Sequence, residues 1–149
     1  MQSSSASNGF IERTRQELSR AERYCLFLSI LLIDLSEFSR ALGKRKHISP
    51  AAAESLAERL ETGLRQTVRD SDVVASFDRN QVGLLLMETS RTGLKIVKER
   101  IEAFVRDYLR GAYQVPFEPI YQIKAASFPE EPDTFGKLTR FAVVEGQEA

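Results

Sequence analysis

The spacing of hydrophobic positions changes along the chain, and each spacing predicts an element. Residues 10–24 are mostly polar, with a thin apolar stripe that includes Phe10, Leu18 and Tyr24. This pattern predicts a lead-in helix that lies on the surface or pairs with a partner. Cys25 to Ile33 is a continuous apolar run, which predicts a central strand buried on both faces.

Two further helices are predicted in the first half of the chain. Ser36 to Leu42 predicts a short helix ended by Gly43. Pro50 then opens a strong helix from Ala51 to Val68. Its apolar residues recur every four positions and define one buried face: Leu56, Leu60, Leu64 and Val68.

The second half predicts a hairpin, a helix and a final strand region. Val73 to Phe77 and Val82 to Met87 are apolar runs separated by a four-residue turn at 78–81. Thr92 to Leu109 has the helical period, and Gly111 and Pro116 are predicted to break it. Residues 115–128 supply one or two strands, followed by a turn at 129–132 and a weak segment to the end.

The order helix, strand, helix, hairpin, helix, strand predicts an α+β sandwich. Helices lie on a mostly antiparallel sheet, an arrangement related to the ferredoxin-like fold. A length of 149 residues fits one domain. The Ser-rich residues 1–9 are expected to be a flexible tail, and residues 10–149 the domain.

Composition narrows the function classes. The chain has 21 Lys and Arg against 21 Asp and Glu, which argues against a nucleic-acid polymer as partner. A small anion needs only two or three arginines and is not excluded. Cys25 is interpreted as a small core residue of a protein in a reducing compartment. The apolar runs are too short to span a membrane, so we expect a cytoplasmic protein.

The element order, with Asp34 ending the first strand, resembles the GGDEF family of diguanylate cyclases. The similarity runs from about Glu17 to Pro129 and implies a nucleotidyl-cyclase-like fold. The segments that carry it are Leu31–Phe38, which resembles the first strand and its Asp-x-Asp-x-Phe continuation, Arg69–Phe77, Gly83–Thr89, Lys98–Ile101 and Tyr121–Pro129.

The signature turn of that family is changed. In place of Gly-Gly-Asp/Glu-Glu-Phe the chain has Asp78, Arg79, Asn80, Gln81 and Val82. The family's glycines let backbone approach the GTP phosphates, and its third position gives a carboxylate to the catalytic magnesium pair. Asn80 is neutral, and hard divalent ions favour carboxylates.

Of the family's other catalytic positions, one is retained and others have changed. Asp34 matches the second metal carboxylate and is a vestigial metal candidate. Leu42 stands where the family has a guanine-reading Asn, and the family's Tyr-x-Ala-Lys helix has no counterpart in residues 134–149. The resemblance therefore implies a pseudo-cyclase, with no catalytic residues, no bound metal and no diguanylate cyclase activity.

One constellation of the family is retained. Arg69-x-x-Asp72 stands five residues before the changed turn, at the offset of the family's inhibitory site for cyclic di-GMP, and Arg100 aligns with the helix arginine that joins it. Arginine forks suit phosphate and guanine. The alternative is a purely structural role for all three residues. The helix dipole favours a cation such as Arg69 near a helix end, Asp72 organises a turn, and Arg100 is a solvated helix residue.

Three hypotheses follow from these patterns. The first is a non-catalytic cyclic di-GMP receptor, with no other cofactor, that binds through Arg69, Asp72 and Arg100. Ligand binding would change contacts with a protein partner or a neighbouring signalling domain, or crosslink two copies. The second is a ligand-independent interaction or dimerisation module that uses the helix at 10–24. The third is GTP binding without turnover.

Overall fold

The computed structural model describes residues 2–45, 49, 51, 55–78 and 80–138. Its elements follow the predicted order of helix, strand, helix, hairpin, helix and strand. They are α1 Gln2–Tyr24, β1 Leu28–Asp34, α2 Ser36–Gly43, α3 Leu56–Leu64, β2 Val73–Asp78, β3 Gln81–Met87, α4 Arg91–Tyr113 and β4 Gln122–Phe128. Residues 132–138 are also helical.

The four strands form one antiparallel sheet in the order β2-β3-β1-β4. The apolar run predicted as a central strand is confirmed, because β1 pairs with β3 on one side and β4 on the other. At its middle, Leu31 lies opposite both Leu84 and Ala125. All of β1 except Asp34 is buried. The α+β sandwich with its antiparallel sheet is therefore as predicted.

The sheet is covered on both faces, and each face has its own hydrophobic core. One core packs α2, α3 and α4 against the sheet. The other packs α1 and the 132–138 helix, through Phe10, Ile11, Phe135 and Leu138. The apolar stripe of α1 is thus buried within this chain at Phe10 and Ile11, whereas Tyr24 at the end of the helix is exposed. Among the described residues, every helix is too short or too polar to cross a bilayer.

The part of α1 around Phe10 packs on the sheet beside Gly83 of β3. The Phe10 ring stacks on Phe77 with centroids 5.3 Å apart and planes 12° apart. A Cβ atom at Gly83 would stand 2.5 Å from the Phe10 ring. Glycine is therefore needed here for the close approach of helix and sheet.

In the structure α1 begins at Gln2, and the expectation of a flexible tail at residues 1–9 stays a prediction. The interpretation of Cys25 as a core residue is wrong. Cys25 is exposed, with a φ of 56°, and β1 begins three residues later. The chain turns sharply between α1 and β1, so Cys25 is outside the core.

The ends of other elements also differ from prediction. The α3 helix ends at Leu64, four residues early, while residues 52–54 of the predicted helix lie outside the described residues. Gly111 does not break α4, which continues to Tyr113 and ends at Gln114 in the left-handed conformation with φ 50°. The region 115–128 holds one strand, and the predicted hairpin strands extend to Asp78 and Gln81.

Glu61 connects α3 to β2. Its Oε1 accepts hydrogen bonds from the backbone N–H and the hydroxyl of Ser76 at 2.6 and 2.8 Å. Its Oε2 accepts from Arg65 Nη2 at 2.9 Å. Burial alone would raise the pKa of Glu61, but the hydrogen bonds from Arg65 and Ser76 outweigh it and hold the pKa below its ordinary value of 4.5.

Replacing Glu61 by glutamine should lower the free energy of unfolding by about 1–2 kcal/mol near neutral pH, because charged hydrogen bonds are lost. The folded pKa is depressed, so this stabilisation is present above the unfolded pKa and is lost as pH falls through the folded value. Urea denaturation at neutral and acidic pH measures the difference between the two proteins. A difference that stays constant well below pH 4.5 would contradict the assignment. The exposed Glu99→Gln is the control.

Candidate ligand-binding groove

Arg69, Asp72 and Arg100 lie together along one groove, although the sequence separates them by up to 31 positions. The cavity has a volume of about 360 Å³. The loop between α3 and β2 supplies Arg69 and Asp72, and α4 supplies Arg100. The rest of the lining comes from the end of β3 and the start of α4: Leu86, Glu88, Thr89, Ser90, Gly93 and Val97.

Asp72 is a buried anchor, with a side chain only 4% exposed. Its Oδ1 accepts from the Met87 N–H at 2.9 Å and from Arg69 Nη2 at 3.1 Å. Its Oδ2 accepts from the backbone N–H of Arg69 at 3.1 Å and from Arg69 Nε at 3.3 Å. A carboxylate has about four acceptor positions, so these donors occupy Asp72 fully. Its role in this arrangement is to fix Arg69 and to tie the loop to β3.

Arg69 is held on one side and open on the other. Its Nη2 donates to the Met87 carbonyl and to Thr89 Oγ1, in addition to its bonds with Asp72. The side chain is nevertheless 57% exposed. Within the described residues Nη1 makes no hydrogen bond, so its two N–H groups and the flat guanidinium face are free for a ligand.

Arg100 and the start of α4 form the opposite wall. Arg100 is exposed, and its Nη2 donates to the Thr67 carbonyl at 3.2 Å. The first turn of α4 is capped by Ser90, whose Oγ accepts from the Gly93 N–H at 3.3 Å. The amino-terminal end of a helix favours negative charge. This wall therefore offers a second cation to the same cavity, while the helix end is already paired with Ser90 and, through the Arg91 N–H at 3.0 Å, with Glu130 Oε2.

Sequence reasoning missed the corner that closes the groove, residues 87–89. Thr89 Oγ1 donates to the Met87 carbonyl at 3.0 Å. The Thr89 carbonyl accepts from Ser29 Oγ at 2.7 Å, and Ser29 shares a hydrogen bond of 2.8 Å with Ser127. Ser29 and Ser127 are fully buried. Ser29 within the apolar run of β1 was the available signal, because a buried hydroxyl requires a partner.

The changed signature turn lies at the opposite end of β1, roughly 20 Å away by the length of a seven-residue strand. Gln81 pairs with Asp34, and Gln81 and Val82 are buried in β3. Asp78 ends β2, and Arg79 lies outside the described residues. Leu42, at the position of the guanine-reading residue, is buried in the core.

The residues present do not fit a catalytic magnesium site. Asp34 Oδ1 already accepts from the backbone N–H and the hydroxyl of Ser36 at 2.9 and 2.6 Å. Asn80 contributes a neutral side chain whose Oδ1 is buried without a partner in the described part of the chain. No group of three metal-ligating side chains occurs among the residues that the structure describes. Hard cations favour several carboxylate oxygens, and the carboxylates that line the cavity at this end among the described residues are Asp34, which is engaged with Ser36, and Glu37.

Comparison with known proteins identifies the family. The family model described as diguanylate cyclase, GGDEF domain, matches residues 7–142, which is most of the chain. The chain belongs to the GGDEF domain family. A search of curated proteins found no significant match.

Solved structures of GGDEF proteins share its fold. A diguanylate cyclase protein from Thermotoga maritima is 16% identical, with a TM-score of 0.64 over 96% of this chain and 92% of that one. The GGDEF domain of TpbB, or YfiN, from Pseudomonas aeruginosa is 20% identical, with a TM-score of 0.61 over 95% and 83%. The GGDEF domain of DgcB from Caulobacter crescentus, solved in complex with cyclic di-GMP, is 9% identical, with a TM-score of 0.69 over 92% and 80%.

Proposed function

We propose that this GGDEF domain is a non-catalytic receptor for cyclic di-GMP, which it binds in the groove of Arg69, Asp72 and Arg100. The observation that carries the proposal is the convergence of these three residues on one cavity. A volume of about 360 Å³ lies in the range of small-molecule sites. Arg69 keeps free donors there while four hydrogen bonds fix Asp72 beneath it.

The chemistry of the groove suits this ligand. Cyclic di-GMP carries two phosphates and two guanines. The Nη1 group of Arg69 and the guanidinium of Arg100 are donors for phosphate oxygens or for the acceptor edge of guanine. The flat face of Arg69 is also open for stacking on a base. The DgcB domain was solved in complex with cyclic di-GMP, which supports this ligand class for a domain of similar fold.

The proposal that the domain is non-catalytic is supported by residues at the other end of the sheet. Asn80 replaces a metal carboxylate, Asp34 is engaged with Ser36, and Leu42 is buried. The turn therefore lacks the carboxylate at its third position and the two glycines that, in the family, let the backbone approach the phosphates of a nucleoside triphosphate. Incubation with GTP and magnesium should yield no cyclic di-GMP. Formation of the product by this chain would overturn the pseudo-cyclase part of the proposal.

Isothermal titration tests the receptor part of the proposal. Cyclic di-GMP should give saturable heat at tens of micromolar ligand or below. GTP at the same concentration should give none and should not compete. Absence of heat with cyclic di-GMP would remove this function, whereas competition by GTP would favour the hypothesis of GTP binding without turnover.

A second candidate is a ligand-independent interaction module, and exposed aromatic residues favour it. Tyr24 and Phe27, at the junction of α1 and β1, are 60% and 47% exposed. Deletion of residues 1–24 is a poor test, because it would uncover the core that Phe10 and Ile11 close. The double variant Tyr24→Ser, Phe27→Ser is better. Light scattering should show loss of a ligand-independent dimer if this second candidate is correct.

A further inference from the structure

The groove requires an acceptor that Asp72 does not supply. A guanine presents N–H donors on its pairing edge as well as the acceptors O6 and N7. Arginine donors can pair with O6 and N7, but the N–H donors of the pairing edge need an acceptor in the groove. Both oxygens of Asp72 are already occupied by N–H groups of Arg69 and Met87. The acceptor must come from another residue of the lining.

Glu88 is the other carboxylate that lines the groove. It is exposed, and among the described residues it makes no hydrogen bond or ion pair. Arg20 lines a neighbouring crevice together with Glu88, but its ion pair is with Glu17 at 3.5 Å. The carboxylate of Glu88 therefore keeps its full acceptor capacity beside Arg69.

The backbone on both sides of Glu88 is fixed. Met87 donates its N–H to Asp72 and accepts at its carbonyl from Arg69 and Thr89. Thr89 accepts at its carbonyl from the buried Ser29. Between these two anchored residues Glu88 has a φ of 49°, a left-handed conformation that is unfavourable for a residue with a Cβ atom. A glycine would fit this backbone with less strain, so a glutamate here suggests use of its side chain.

We propose that Glu88 is the guanine-specificity residue of the groove, with its carboxylate accepting from the N–H groups of the base. This inference rests on the proposed function. Arg69 and Arg100 supply charge, stacking and donors for phosphate or for the acceptor edge of guanine. Glu88 adds a contact on the pairing edge that guanine satisfies and adenine does not, because adenine has an acceptor nitrogen where guanine has its ring N–H. A carboxylate opposite that nitrogen places two acceptors against each other.

The test compares cyclic di-GMP with cyclic di-AMP by isothermal titration on wild-type protein and on Glu88→Gln. The substitution keeps the size of the side chain and removes its charge. We expect the Kd for cyclic di-GMP to rise about tenfold or more, as for a lost charged hydrogen bond. The Kd for cyclic di-AMP should stay the same or fall. The selectivity ratio between the ligands should therefore fall by about tenfold.

Two variants separate the carboxylate from other effects. Glu88→Gly removes the side chain and suits the left-handed backbone, so its melting temperature should equal or exceed that of the wild type while its selectivity falls as for Glu88→Gln. Glu99→Gln removes the same charge from an exposed residue of α4 that does not line the groove, and its selectivity should be that of the wild type.

The outcomes distinguish this inference from the proposed function. If wild-type protein binds cyclic di-GMP and Glu88→Gln keeps the wild-type selectivity ratio, Glu88 does not read guanine and the receptor function stands. An equal loss of affinity for both dinucleotides would also overturn the inference, because it would show a general effect on the corner. If the wild type binds neither dinucleotide, the receptor function fails and Glu88 has no such role.

Discussion

Replacing Arg69 by alanine should weaken cyclic di-GMP binding about hundredfold, or by about 2.7 kcal/mol. The variant removes two free N–H donors of Nη1 and the guanidinium face that lines the groove. Charge-assisted hydrogen bonds contribute about 1.5–3 kcal/mol. Arg69→Lys should give an intermediate affinity, because it keeps the charge and loses the planar fork. Isothermal titration measures both effects.

Arg65→Ala is the matched control for this experiment. Arg65 is 59% exposed, close to the 57% of Arg69, and it likewise pairs with an acid nearby in sequence. It does not line the groove, so its loss should affect stability through Glu61 without changing ligand affinity. Equal affinities for Arg69→Ala and wild type, with both proteins folded by circular dichroism, would place the ligand elsewhere.

Replacing Gly83 by alanine should destabilise the fold by about 2–3 kcal/mol, a large value for one added methyl group. The new Cβ would meet three carbon atoms of the Phe10 ring at 2.5–2.9 Å. That ring is 3% exposed and stacked on Phe77, so it cannot move away without separating α1 from the sheet. Chemical denaturation monitored by circular dichroism measures the change.

Gly111→Ala is the control for the same chemical change. A Cβ at Gly111 would meet nothing within 4 Å, and the residue lies within α4. Alanine is the better helix former by about 1 kcal/mol, so this variant should be more stable than wild type. If Gly83→Ala is as stable as the wild type, α1 does not pack across β3 as described.

The fold was predictable where the hydrophobic pattern decides the outcome. The uninterrupted apolarity of β1 predicts a strand with neighbours on both sides, which its pairing with β3 and β4 confirms. Patterns failed where packing overrides local preference. Gly111 lies inside a helix that continues past it to bury Tyr113. Cys25 belongs to an apolar run by composition, but a sharp turn exposes it.

The candidate site was predictable in part, for a related reason. Arg69, Asp72 and Arg100 were identified by a resemblance, and the structure places them in one groove. The contacts that hold Arg69 come from backbone and hydroxyl atoms of Met87 and Thr89, 18 and 20 residues away. Sequence patterns do not show which carbonyl a strand end presents. Only the hydrogen-bond geometry shows that four donors occupy the carboxylate of Asp72, whereas that of Glu88 makes no hydrogen bond within the described residues.

The placement of the groove gives the proposal its physical basis. The changed turn and the groove lie at opposite ends of β1, where Asp34 pairs with Gln81 at one end and Leu28 with Met87 at the other. Substitutions at the turn therefore do not touch the residues that hold Arg69. A domain of this fold can lose its metal and nucleotide contacts at one end and keep an arginine groove intact at the other.

The most direct test is backbone amide chemical-shift mapping of the wild-type protein during titration with cyclic di-GMP. The account predicts the largest shifts at Arg69, at residues 88–93 and at Arg100, which surround the groove. Amides near Asp34 and Gln122, at the other end of the sheet, should be unchanged. Absence of shifts at saturating ligand, or shifts confined to the Asp34 end, would contradict the account.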